Sequence, residues 1–130
     1  MQILQPPGWA RPRGYSNGIL AHGKLVFVAG QIGWDGQCRF QTSDITGQAR
    51  QALENVVAVL AQAGARPEHI VRMTWFVIDK HEYLAAYPSI GAVYRQIIGA
   101  HYPVMTAVQV GALLEDQARV EIEATAVIPG

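Results

Sequence analysis

"QARQALENVVAVLAQAGARPEHIVRMTWFVID" (residues 48–79) decides the fold. In its first half Ala49, Leu53, Val56, Val57, Leu60 and Ala63 recur at helical spacing, and Gln48, Gln51, Glu54 and Gln62 fall largely on the other side. Ser43 or Asp44 can cap the start of this helix. Gly64 suits a left-handed C-terminal residue, and Pro67 forbids continuation. The second half, "HIVRMTWFVID" (69–79), is rich in β-branched and aromatic residues and reads as a long strand.

Upstream, "YSNGILAHGKLVFVAGQIG" (15–33) reads as two strands joined by a turn at Ala21-His22-Gly23. Leu25 to Ala29 is apolar on both faces, which predicts a central strand. Asp35-Gly36 supplies a second turn. Residues 1–13 hold Pro6, Pro7 and Pro12 and read as an irregular lead-in. Downstream, "HEYLAAYPSIGAVYRQIIGAH" (81–101) predicts a second helix with a break near Pro88, because Tyr87 is pushed from helical dihedrals by the proline after it. Residues 104–110 and 119–128 are the last two strands, joined by the loop "GALLEDQA" (111–118). The order β-β-α-β-α-β-β predicts an α+β fold, with one mixed sheet carrying both helices on one face. The other face is left uncovered. Val71, Met73, Trp75 and Val77 are expected to make it apolar, so it should pack against other copies of the chain.

The 130 residues fit a single domain spanning 1–130. Half of them are hydrophobic and 15% are charged, enough apolar material for a core. Ten basic residues balance ten acidic ones, so nucleic acid finds no concentrated basic surface. Cys38 is the only cysteine, which excludes an internal disulfide. No basic stretch followed by an apolar one opens the chain, and no apolar run approaches the roughly 20 residues of a membrane span. The expectation is a soluble protein of the reducing cytoplasm.

Chemistry is sparse. His22, His69, His81 and His101 have no ligand spacing, so they read as surface or turn residues and no metal site is expected. No glycine-rich loop cradles phosphates, and Ser16, Ser43 and Ser89 lack the flanking pattern of a nucleophile. Cys38 beside Arg39 reads as a bland thiol before it reads as a nucleophile. In the last strand Val120, Ile122, Ala124 and Ala126 share one face, and Arg119, Glu121, Glu123 and Thr125 share the other. The two glutamates are either solvated surface groups or, for one of them, a holder of water at an intersubunit cleft.

"GYSNGI" (14–19), "AGQIG" (29–33), "QARQALENVVAVLAQAG" (48–64), "VRMTWFVID" (71–79) and "ARVEIEATAV" (118–127) together resemble successive segments of the RidA/YjgF family, also known as the endoribonuclease L-PSP family. Its most studied members hydrolyse enamines and imines. The resemblance implies a chorismate-mutase-like fold and a homotrimer with three intersubunit ligand clefts and no cofactor. It implies that Glu121 holds the attacking water and that Tyr15 and Gly30 line the cleft, with backbone groups near Thr106 and Ala107 binding polar ligand atoms.

The match departs from the family at one position. Where the deaminases carry an arginine two residues after the strand-opening proline, here Pro103, this chain has Met105. That arginine forks onto the carboxylate of a 2-imino acid, a contact worth about 1.5–3 kcal/mol, whereas methionine offers only soft apolar contact. The family's Gly-Pro-Tyr loop is also changed, to Arg13-Gly14-Tyr15. Arg13 could reach the cleft in compensation; failing that, Met105 with Trp34 or Trp75 would line a more apolar site. The expectation is a divergent small-molecule hydrolase of the enamine/imine deaminase type. The alternatives are a non-catalytic, metabolite-binding homotrimer and, disfavoured by the balanced charge, an endoribonuclease.

Overall fold

The computed structural model describes all of residues 1–130. In chain order the elements are β1 (Gln2–Leu4), β2 (Gly18–Leu20), β3 (Lys24–Ile32), α1 (Ile45–Gln62), β4 (Ile70–Val77), α2 (Lys80–Ala85), α3 (Tyr87–Ile97), β5 (Val104–Gln109) and β6 (Val120–Ile128). Four strands form one mixed sheet in the order β3-β6-β4-β5, in which only β4 and β5 run parallel. The α+β class and the mixed sheet are as expected. α1 and α3 pack on one face, where Leu53, Val56 and Leu60 meet Met73, Trp75 and Ile122. Fully burying a side chain such as Leu53 contributes roughly 1.5–3 kcal/mol.

Local signals explain the helix boundaries. The carboxylate of Asp44 accepts a hydrogen bond from the Gly47 N–H at 3.0 Å and caps α1. Gly64 adopts φ +72° just past its end. The expected break at Pro88 divides the second helical segment into α2 and α3, with Pro88 in the first turn of α3, where a missing N–H costs nothing.

Four expectations are corrected. First, β2 does not form a hairpin with β3. It pairs with β1, inside the lead-in expected to be irregular, as a separate ribbon. Gly23 lies so close to the Ile128 carbonyl that a Cβ there would overlap it, so the chain enters β3 along β6 instead of folding back on β2. The segment before the ribbon's second strand is fastened to the start of β5. The Ser16 N–H donates to the Pro103 carbonyl at 3.0 Å, and its hydroxyl donates to the Tyr102 carbonyl at 2.6 Å.

Second, β3 is an edge strand. Val26 and Val28 turn toward the helices, but Leu25 and Phe27 on the other face are 62% and 73% exposed. Third, Met73, Trp75 and Val77 face the helices and not the bare face, which takes Arg72, Thr74 and Phe76 instead. Alternation says which residues share a face, not which face is covered, and a bulge between Ile70 and Arg72 resets the parity at Val71. The uncovered face is therefore mixed: Leu25, Phe27 and Val108 are exposed beside Arg72 and Glu123.

Fourth, Gln48 is fully buried. Its amide N–H groups donate to the carbonyls of Thr42 at 3.1 Å and Gln117 at 2.9 Å, and its oxygen accepts from the Arg119 N–H at 2.7 Å. Gly33 makes room for it, since a Cβ at that position would press on the Gln48 side chain.

Candidate functional site

Glu121 sits half-buried on the uncovered face of β6, where its backbone pairs with Ile32 of β3 and Phe76 of β4. Between Val28, opposite Ala124, and Gln31, opposite Ile122, β3 has two residues where β6 has one. This bulge takes Ala29 and Gly30 out of the ladder. The Glu121 carboxylate lies directly against Gly30, in space that any Cβ would fill. Only glycine therefore admits the acid in this position. None of the three ion pairs in the chain engages Glu121.

Arg119, expected beside the glutamates, is turned away to Glu82 of α2. Its Nε donates to both carboxylate oxygens at 3.1 Å and its second guanidinium nitrogen to one of them at 2.7 Å. That hydrogen bonding raises the Arg119 pKa above its ordinary value. Farther along the same face Phe27, Ala29, Arg72, Glu123 and Thr125 line a shallow groove of about 410 Å³.

Met105 is elsewhere. It pairs with Met73 in the parallel ladder, and so shares that residue's helix-facing side of the sheet. There it lines a small cavity with Gly14, Trp75, Tyr83, Tyr87 and Arg95. The Trp75 indole is 3% exposed, yet its N–H has no acceptor in the protein. A buried donor left this way costs about 1–3 kcal/mol. Trp34 takes no part in this cavity and packs on Phe40, with ring centroids 5.8 Å apart.

Tyr15 lines a separate groove of about 620 Å³ with Trp9, Arg11 and His101. Arg13 is exposed and borders neither that groove nor the Met105 cavity. Thr106 and Ala107 are exposed on the edge strand β5. A single copy thus brings Glu121 together with Gly30, and places Met105 near Gly14 but not with Tyr15. It does not join the two groups, which lie on opposite faces of the sheet with β4 between their strands. Arg95, exposed on α3, also borders the cavity; one arginine on an amphipathic helix carries no local sign of what it faces.

Two tyrosines around the cavity, Tyr83 and Tyr94, are held neutral to higher pH than usual. Loss of solvation, then the neighbouring Tyr87, pushes the Tyr83 hydroxyl up to about 12, and burial followed by the charge of Tyr102 raises Tyr94 as well. The unfolded chain would ionise both near the ordinary value of about 10. Their contribution to stability is complete below that pH and is lost as pH rises through the folded values. Melting temperature should accordingly fall above pH of about 10, and Tyr83→Phe should flatten the fall. A melting series at rising pH checks this; an unchanged slope in the variant would remove Tyr83 from the explanation.

No three His, Cys, Asp or Glu side chains converge as a metal-ligand set. No helix is long and apolar enough to cross a membrane.

Comparison with known proteins agrees with the fold and with the order of these elements. The family described as Endoribonuclease L-PSP matches residues 9–128. TdcF of Escherichia coli is 38% identical over 108 residues, covering 81% of this chain and 80% of TdcF. The structure of TdcF with bound serine aligns over 98% of this chain and 99% of its own, with a TM-score of 0.70. The 2-iminobutanoate/2-iminopropanoate deaminase of Salmonella typhimurium is 35% identical, covering 81% of this chain and 80% of the enzyme. The Rid-family protein YyfB of Yersinia pestis is 28% identical, with a TM-score of 0.86 over 98% of both chains. With Glu121 seated on its glycine and the sheet uncovered on one side, the chain belongs to the endoribonuclease L-PSP family, the RidA/YjgF proteins.

Proposed function

We propose that the protein is a small-molecule hydrolase of the enamine/imine deaminase type, acting in clefts between the copies of a homotrimer in the cytoplasm. The observation that carries the reading is the Glu121 carboxylate lodged against Gly30 at the β3 bulge, on a sheet face that no helix covers. The exposed Leu25, Phe27 and Val108 on that face give a second copy apolar surface to bury.

In the proposed reaction Glu121 takes a proton from a bound water as the oxygen attacks the C=N carbon. The proton passes to the nitrogen, giving a carbinolamine. Collapse then breaks the C–N bond, forming a carbonyl and releasing ammonia. An enamine enters by first accepting a proton on carbon, which gives the iminium, and then losing an N–H proton to become the imine. Tyr15, Gly30 and the backbone near Thr106 and Ala107 orient the substrate. Support comes from the relative named a 2-iminobutanoate/2-iminopropanoate deaminase. Met105 sets this chain apart, because it cannot grip a carboxylate, and Arg13 points to neither cavity that would need it. The protein is therefore not a standard 2-imino acid deaminase.

The test is ammonia release from a panel of freshly generated imines, together with the mass of the protein in solution. Release above the buffer rate from a trimer is expected. A monomer at micromolar concentration would remove the cleft. Saturable ligand binding with no ammonia released would instead identify a non-catalytic, metabolite-binding protein.

A further inference from the structure

We infer that Arg72 of β4 and Glu123 of β6 form an ion pair between copies of the chain, Arg72 of one copy meeting Glu123 of the partner subunit, and that this pair sets the register in which the copies assemble. The inference rests on the proposed function only for assembly through the uncovered sheet face; the hydrolytic step is separate.

Charges on that face are few. β6 presents Glu121 and Glu123, and β4 presents Arg72. The Glu121 carboxylate lies against Gly30 at the bulge. Arg72 and Glu123 are both exposed and line the same groove with Phe27, Ala29 and Thr125. Neither has a charged partner in its own copy, since the ion pairs of the chain are Arg39–Asp35, Arg66–Glu68 and Arg119–Glu82. The ladder sets them out of step: Arg72 stands opposite Thr125, and Glu123 opposite Thr74.

Leu25 and Phe27, 62% and 73% exposed on the edge strand beside them, leave water only when another surface covers this face. The same covering takes Arg72 and Glu123 out of water, which is costly unless an opposite charge meets each of them. A basic or an acidic partner would satisfy one of the two and strand the other. A second copy satisfies both. In a cyclic assembly one contact repeats around the ring, so each copy offers its arginine to one neighbour and its glutamate to the other, and no charge is left over. A copy displaced along the strands would bury both charges without partners. Apolar contact supplies the attraction, and the pair selects one placement among the many that apolar contact alone would tolerate.

Sedimentation of the whole protein across a concentration series, and native mass spectrometry of mixed chains, test the inference. Arg72→Glu and Glu123→Arg each set like charges against one another and should raise the midpoint concentration of assembly at least about tenfold. The double variant should assemble as the wild type does. After joint dissociation and reassembly it should form almost no hybrids with the wild type, because every contact between unlike chains opposes two arginines or two glutamates. Free mixing would place the pair within one copy and overturn the inference, as would single variants that assemble normally. Both residues are exposed in one copy, so the variants should fold, which circular dichroism checks. The gentler Arg72→Gln and Glu123→Gln should shift the midpoint by amounts that overlap when combined; additive shifts would overturn the pair. Arg50→Glu, exposed on α1, should leave the midpoint unmoved; an equal rise there would trace the effect to net charge and overturn the pair as well. A wild type that stays monomeric would overturn both this inference and the intersubunit cleft. Self-sorting chains that release no ammonia would sink the hydrolase reading alone. Imine hydrolysis by freely mixing trimers would sink this inference alone.

Discussion

Glu121→Gln is expected to lower the rate of imine hydrolysis by about 10²- to 10⁴-fold, with little change in KM. Glutamine keeps the volume beside Gly30 and can still bind a water. It cannot take the proton that the attacking water must lose. The change falls on kcat because the lost interaction exists only as the proton moves. Stability should hardly alter: the side chain is half-buried and enters no ion pair. Steady-state kinetics on the most active imine, with a thermal melt as control, would check both. A variant with wild-type kcat would show that water is activated by some other group.

The second large effect is on folding. Gln48→Leu should reduce the unfolding free energy by about 2–4 kcal/mol. Leucine fills similar space but leaves the partners of three hydrogen bonds, the Thr42 and Gln117 carbonyls and the Arg119 N–H, without the amide. Gln117 is in an exposed loop, so its carbonyl can turn to water. The Arg119 N–H is worse placed, between buried Ala118 and Val120, and dominates the loss. Against a typical stability of about 5–15 kcal/mol the change is large. Urea denaturation should show a lower midpoint and an unaltered slope. A midpoint shift equivalent to less than about 0.5 kcal/mol would place the amide among surface substitutions of no consequence.

Gln48 also shows where sequence patterning stops. Its spacing put it on the polar side of α1 with Gln51 and Glu54, and nothing local distinguishes a solvated glutamine from one that ties two loops together. The apolar stripe Leu53, Val56 and Leu60 was legible because burial of that stripe is what makes α1 a helix in the first place. The break at Pro88 was legible because ring geometry acts on the neighbouring residue alone. The covered and uncovered faces of β6 were legible from strict alternation.

β4 failed for a related reason. Both of its faces carry apolar side chains, Met73 and Trp75 on one and Phe76 on the other, so only tertiary packing decides which is covered. β1 was hidden among prolines, and its partnership with β2 depends on contacts far apart in the chain. At the candidate site, Glu121 and Gly30 could be named through the family resemblance, but the contact between them depends on a bulge that only the structure reveals. Arg95 could not be named, because its place beside the Met105 cavity follows from tertiary packing.

The position of β4 between Glu121 and Met105 also bears on how such a chain changes over generations. A substitution around Met105 alters helix-side packing and leaves the bulge at Gly30 untouched. A lineage can therefore remodel the Met105 cavity without first losing the acid. The reverse path is nearly closed, since any side chain at Gly30 would expel the carboxylate in a single mutation. Variation among descendants should accumulate around the cavity and be purged at the glycine.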